Sequence, residues 1–156
     1  MISVPSLVSI ELSHFCLLGG IPSADAAQLL LSEIAHIDAS LDTSSETFSR
    51  HWGESAARGE VFQIDATIGS TLLATAVCID GINYDGVPTL FIDLIAAKNK
   101  RQGLGSAVME HIEQLARDRR IAIVMAQPID DCAADFFAAK GYDWDDGHCV
   151  VKYIKY

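Results

Sequence analysis

Basic residues are scarce in this chain: 11 Lys and Arg stand against 21 Asp and Glu, a formal net charge of −10. Duplex nucleic acid is gripped by basic stripes that displace counterions, so this balance excludes a broad contact of that kind. It argues equally against an enzyme that acts on charged RNA. Cysteine is thin as well. The four at positions 16, 78, 132 and 149 form no Cys-x-x-Cys pair, and five scattered histidines supply no zinc spacing. No metal is therefore expected, and the thiols read as reduced and cytosolic. No uninterrupted apolar run approaches the roughly 20 residues of a membrane span. Residues 1–20 are apolar but lack a basic leader and are broken by Glu11 and His14, which speaks against a signal peptide. These absences predict a soluble cytoplasmic protein with neither nucleic acid nor membrane as partner.

Proline is sparse too, at four residues, and no Pro/Ser-rich linker, repeat or low-complexity tract interrupts the 156 residues. Half the residues are apolar, so one domain over residues 1–156 is expected. A chain of this length hides roughly 70% of its extended surface on folding and needs no staple. The charge that is present is lopsided. Positions 1–97 carry 12 acids with only Arg50 and Arg58, whereas 98–156 carry nine acids and nine bases. An acidic face suits a small-molecule amine or a basic peptide as partner, and equally a plain solvated surface. A homodimer stays open.

Val8, Ile10 and Leu12 alternate with polar neighbours and predict a first strand. Pro22 and Ser23 open a helix with Leu30, Ile34, Ile37 and Leu41 at helical spacing. Thr43-Ser44-Ser45-Glu46 has the capping-box pattern for a second helix, with Phe48 and Trp52 on one face. Val61 to Ile68 alternates strictly. Turns at Gly69-Ser70 and around Asn83-Tyr84-Asp85-Gly86 then predict two hairpins joining antiparallel strands at 61–68, 71–79 and 89–96. The third is nearly all apolar, as a strand covered on both faces must be. A helix from Gly105 to Arg119 buries Val108, Ile112, Leu115 and Ala116 and leads to a strand at 121–126. That strand must lie parallel to 89–96, because a helical crossover joins the two. A helix from Cys132 to Lys140, stopped by Gly141, and a terminal hairpin through Asp146-Gly147 complete an α/β chain with a mixed sheet.

Chemistry concentrates where the apolar strand runs into Lys98-Asn99-Lys100-Arg101-Gln102-Gly103-Leu104-Gly105-Ser106. Outward amides at a helix N-terminus, glycines that admit close approach, and the charges of Lys100 and Arg101 make an anion site; a mere turn is the alternative. The segment lacks the Gly-Lys-Ser/Thr of a P-loop and the third glycine of a dinucleotide fingerprint. Asp93 sits mid-strand between Ile92 and Leu94, where a carboxylate is costly unless satisfied. It is the candidate general base for an ammonium substrate, with a carboxylate held by backbone amides as the alternative.

A strand, Lys100-x-x-Gly103-x-Gly105, an amphipathic helix, a strand and then Ala133-x-x-Phe136-Phe137-x-x-x-Gly141-Tyr142 together resemble the GNAT superfamily of acyl-CoA-dependent N-acetyltransferases. The resemblance spans residues 89–144, and the upstream helices and antiparallel strands match that layout. It implies a parallel strand pair around a CoA cleft, and transfer of acetyl from acetyl-CoA to a primary amine by direct attack. It also implies that Lys100 and the loop from Arg101 through Gln102, Gly103, Leu104 and Gly105 to Ser106 hold the CoA pyrophosphate. Backbone at Ile95 and Ala97, where the central strand splays from its neighbour, would pair with the pantetheine arm. Phe137 stands where many members carry the Tyr that protonates the departing thiolate, and phenylalanine has no proton to give. A catalytically weak acyl-CoA-binding regulatory module is the alternative that this substitution raises. Asp130 replaces the usual Asn three residues before Ala133. Tyr142 is a candidate acid, with a core aromatic as the alternative, and Tyr84 is a second choice. His111 reads as a surface residue, while His14, His36, His51 and His148 have no carboxylate or cysteine at ligand spacing. Cys132 reads as an unactivated thiol among Asp130, Asp131 and Asp135. Asp143-Trp144-Asp145-Asp146 either rims the acceptor site or simply turns.

Overall fold

Successive side chains of a strand point to opposite faces, and both faces of the central strands are apolar here. Val61 joins a cluster with Leu30, Val77 and Ile79, whereas Phe62 joins a larger one with Val108, Ile112 and Ala116. A sheet of that kind needs a helical layer on each side. The computed structural model describes residues 10–37, 45–98, 103–145 and 147–154. Helices α1 (Ala24–Ile37) and α2 (Ser45–Arg58) cover one face, and α3 (Leu104–Asp118) and α4 (Asp131–Ala139) the other.

The strands are β1 (Glu11–Cys16), β2 (Glu60–Ile68), β3 (Thr71–Tyr84), β4 (Val87–Ala97), β5 (Ile123–Ala126), β6 (Asp143–Trp144) and β7 (Val150–Tyr153). They form one sheet in the order β1-β2-β3-β4-β5-β7-β6. β4 and β5 are parallel with α3 as their crossover, as the sequence predicts, and the other neighbours are antiparallel.

Some boundaries differ from expectation. β1 continues to Cys16; as an edge strand it is mostly exposed, so apolar alternation does not mark its second half. Residues 1–9 fall outside the described residues, as do Leu41 and the start of the capping box, although α2 does begin at Ser45. β3 runs to Tyr84 rather than stopping at Ile79. Asp80 pairs with Leu90 and Ile82 with Thr89, so Gly81 is absorbed as a bulge instead of ending the ladder. The tight turn after it has Asp85 at φ 51° and Gly86 at φ 78°, the paired positive angles that a two-residue hairpin with matching twist requires.

α3 buries Leu104, Val108, Met109, Ile112, Leu115 and Ala116; each larger aliphatic stabilises the fold by roughly 1.5–3 kcal/mol relative to exposure. Glu113 is buried on the same helix and would be costly unpaired. It accepts from the Tyr142 hydroxyl at 3.1 Å and from Lys152 Nζ at 2.9 Å, which ties α3 to Tyr142 before β6 and to β7. A second polar lock fixes α1. The Ser23 amide donates to Gln63 Oε1 at 2.9 Å, and Gln63 Nε2 donates to Ser23 Oγ at 3.0 Å and to Asp65 Oδ1 at 2.8 Å. That lock sets where α1 begins. Among the described residues no helix is long and apolar enough to cross a membrane.

Candidate active site

β4 and β5 pair only from Thr89 opposite Ile123 to Ile92 opposite Ala126. Beyond Ile92, β4 continues to Ala97 against β3 alone. The cause is local. Val77 pairs with Leu94 and Cys78 with Ile92, so Asp93 is the extra residue of a β-bulge. A bulge bends its strand and re-aims side chains. Here Asp93 and Leu94 both turn to the α1/α2 face, whereas Ile92 and Ile95 face α3. The β5-side edge of Asp93 to Ala97 is left without a strand beside it, and a cleft of about 340 Å³ opens between the diverging strands.

One end of the cleft is the N-terminus of α3. Gly103, at φ 74°, is its N-cap and contributes no side-chain hydrogen bond. The first helical bond runs from the Ala107 amide to the Gly103 carbonyl at 3.0 Å, so the amides of Leu104, Gly105 and Ser106 have no partner within the helix. All three residues border the cleft. Among the described residues a Cβ on Gly103 would meet nothing within 4 Å, so the positive φ, not crowding, is the local reason for glycine. Gly105 is small because a Cβ there would lie 3.3 Å from the Phe136 ring, where α4 closes on α3.

Asp93 borders the other part of the cleft, together with Glu33 of α1. Its side chain is 9% exposed, and Oδ2 lies 2.8 Å from His51 Nε2 on α2. That hydrogen bond is the main cause of a raised His51 pKa, against the opposing effect of partial burial. Sequence reasoning missed His51, because it searched for ligand spacing and the partner lies 42 residues away. The one available signal was its place beside Trp52, on the flank of the buried face of α2.

Of the residues expected to meet CoA, Ile95, Ala97, Gly103, Leu104, Gly105, Ser106 and Phe137 come together around the cleft. Lys100, Arg101 and Gln102 lie outside the described residues. The Asp130 carboxylate is engaged, accepting from the Ala133 amide at 2.8 Å as the N-cap of α4. Cys132 is exposed at the cleft. Asp145 accepts from the amides of Gly147 and Cys149, which favours the turn over the rim. His111 is half-buried rather than superficial. Its Nε2 lies 3.0 Å from His14 Nδ1, and burial, then the neighbouring His14, lower its pKa. Among the described residues no three His, Cys, Asp or Glu side chains cluster as a metal site.

Neither candidate acid reaches the cleft. Tyr84 packs at the hairpin end with Ile123, Met125 and Val151. Tyr142 is 3% exposed, edge-on to Phe137, with its hydroxyl on Glu113. Burial, and then the Glu113 charge, push that phenol far above its ordinary value, making it a poorer acid. Tyr142→Phe is accordingly expected to cost about 1 kcal/mol of stability, a Tm decrease of roughly 2–4 °C, with turnover unchanged. Lost turnover at unaltered Tm would restore the acid role.

No protein-family model matches the chain, and no curated protein matches it in sequence. Solved structures match its fold. An aminoglycoside acetyltransferase from an uncultured soil metagenomic sample, in complex with trehalose, superposes with a TM-score of 0.65 at 15% identity, over 90% of this chain and 94% of that one. The PaiA N-acetyltransferase of Thermoplasma acidophilum in complex with coenzyme A gives 0.63 at 14% identity, over 95% and 99%. A GNAT family acetyltransferase from Elizabethkingia anophelis with acetyl-CoA bound gives 0.56 at 15% identity, over 91% and 97%. The AtaT toxin bound to the C-terminus of the antitoxin AtaR and the KacTA–DNA complex share the architecture. The chain therefore has the GNAT fold, a mixed sheet with its parallel β4–β5 pair and helices on both faces.

Proposed function

We propose that the protein, as one domain over residues 1–156, is an N-acetyltransferase that moves acetyl from acetyl-CoA to a primary amine. The observation that supports this best is the meeting, in one cleft, of a strand edge and a helix N-terminus that, among the described residues, no strand pairs and no side chain caps, and of a carboxylate. CoA has a part for each of the first two. Its pyrophosphate is an anion that the amides of Leu104 to Ser106 attract, with Lys100 and Arg101 adjacent in sequence. Its pantetheine amides can pair with backbone at Ile95 and Ala97 as an added strand would. An arm laid along that edge from the α3 end runs toward Asp93, where the bulge sits. Solved neighbours holding CoA or acetyl-CoA support this cosubstrate.

The carboxylate then has a task. An ammonium must lose a proton before its nitrogen can attack the thioester carbonyl, and Asp93 takes that proton directly or through water. The new C–N bond forms, the C–S bond breaks, the surplus proton left on the nitrogen passes to water, and CoA leaves as thiolate. Asp93 and Glu33 on the acceptor side suit a cationic amine, and the aminoglycoside acetyltransferase among the neighbours supports a small-molecule acceptor. Phe137 offers no proton, but a thiol with a pKa of about 8.5 leaves without one near neutral pH. Phe137→Tyr is therefore expected to raise turnover by less than about tenfold.

A panel of amines with acetyl-CoA, read by thiol release, tests the proposal. Saturable, acceptor-dependent release is expected. Tight CoA binding with release that no amine increases, or activity found only in Phe137→Tyr, overturns it in favour of an acyl-CoA-binding module.

A further inference from the structure

We propose that His51 is a positioning residue that acts through Asp93 and makes the acceptor site responsive to pH, an inference that rests on the acetyl-transfer reading above. The geometry is a contact between two elements. α2 carries the imidazole, and the β4 bulge carries the carboxylate that borders the cleft; Nε2 and Oδ2 are 2.8 Å apart. Asp93 is 9% exposed and His51 42%, so the pair runs from the cleft wall outward to solvent. Oδ2 is engaged by the ring. Oδ1 has no hydrogen bond among the described residues and is the oxygen available to an acceptor amine. Among the described residues His51 is the one side chain hydrogen-bonded to this carboxylate, and it holds the Asp93 rotamer at the bulge.

The second consequence is electrostatic. With a neutral imidazole donating Nε2–H to the carboxylate, the pair carries one negative charge, which attracts an ammonium and can take up its proton. With an imidazolium the pair is neutral, and both properties weaken. Among the described residues, the other charges that shift His51 include Glu54 and Arg58, both on α2. Glu54 favours the imidazolium and Arg58 opposes it, while Asp93 from β4 dominates, so the imidazolium persists above the ordinary histidine value of about 6.5. Glu33, from α1, borders the same cleft.

The sign of the effect differs between activity and stability. Turnover rises as pH increases through the raised His51 value, because deprotonation restores the negative pair. The stabilisation from the pair is complete below the unfolded value of about 6.5 and is lost as pH rises through the folded one. Over the same window, therefore, activity climbs while Tm declines.

The test compares wild type, His51→Gln and His51→Leu in kcat and kcat/KM against pH, using the best amine of the panel, alongside NMR titration of the His51 ring in wild type and Asp93→Asn. Wild type is expected to show an acid limb above pH 6.5, at a value matching the ring titration. His51→Gln, which keeps an N–H donor but cannot titrate, retains more turnover than His51→Leu and loses the limb. His51→Leu lowers kcat by about tenfold or more at unchanged acetyl-CoA affinity. An unchanged limb in His51→Gln, or wild-type kcat in a folded His51→Leu, overturns the inference. So does a ring titration that is the same in wild type and Asp93→Asn, whether or not turnover is found. A ring titration that does shift, in a protein that acetylates no amine, counts against the acetyl-transfer reading instead.

Discussion

Asp93→Asn is expected to lower turnover by roughly 10² or more while leaving acetyl-CoA affinity at its wild-type level. Asparagine keeps the size and shape of the side chain, so the bulge between Ile92 and Leu94 has no steric reason to move. It also keeps an oxygen that can accept from His51 Nε2, preserving the contact with α2. What it removes is the capacity to hold a proton and the negative charge at the cleft wall. Those two properties matter to an ammonium acceptor and not to CoA, whose expected contacts lie farther along β4 and at α3. A split therefore follows, with kcat falling and calorimetric CoA affinity constant. The opposite pattern identifies a structural carboxylate. In that case Tm falls, while whatever fraction remains folded turns over at the normal rate.

The features legible in the sequence are those that depend on local period and local chemistry. Val61 to Ile68 announces a strand by alternation alone. The glycines at 103 and 105 announce a helix start, and Val108, Ile112, Leu115 and Ala116 announce which way that helix faces. All three are properties of a dozen residues at a time, and all three stand in the fold. The bulge at Asp93 is a different kind of fact. Ile92-Asp93-Leu94-Ile95-Ala96 reads the same in either register, and the extra residue exists only relative to Val77 and Cys78 on the neighbouring strand. His51 is invisible for the same reason. A histidine becomes a partner of Asp93 only when α2 packs on the same face of the sheet to which the β4 bulge turns Asp93, a juxtaposition made by the cluster of Leu30, Ala56 and Leu94 and not by any motif. Tyr142 shows the converse. Its place after Gly141 looked chemically suggestive, but Glu113, 29 residues earlier on α3, takes its hydroxyl into the core. Side-chain pairs set by tertiary packing are thus the part of a site that pattern alone does not reach, and here they include the group beside the candidate base.

Gly103→Val is expected to weaken CoA binding by at least about tenfold, or ~1.4 kcal/mol. Two effects act in the same direction. At φ 74° a β-branched residue is a genuine outlier, so valine pulls the N-cap of α3 out of the left-handed region and shifts the amides of Leu104, Gly105 and Ser106. The valine side chain also adds bulk at the N-cap, beside the amides that a phosphate would have to approach. Gly103→Asn separates the two. Asparagine tolerates the left-handed conformation, and as an N-cap its side-chain oxygen can accept from the first-turn amides. The backbone is then preserved while the anion site is filled from within. Both variants are expected to lose affinity in calorimetry, Gly103→Val with a lower Tm and Gly103→Asn with Tm held or raised. An anion held by exposed amides is also screened by salt, so wild-type affinity should fall with ionic strength and the Gly103→Asn affinity should fall less steeply. Wild-type affinity in a folded Gly103→Val removes the α3 N-terminus as the pyrophosphate site and leaves the strand edge at Ile95 and Ala97 to account for any binding that is measured.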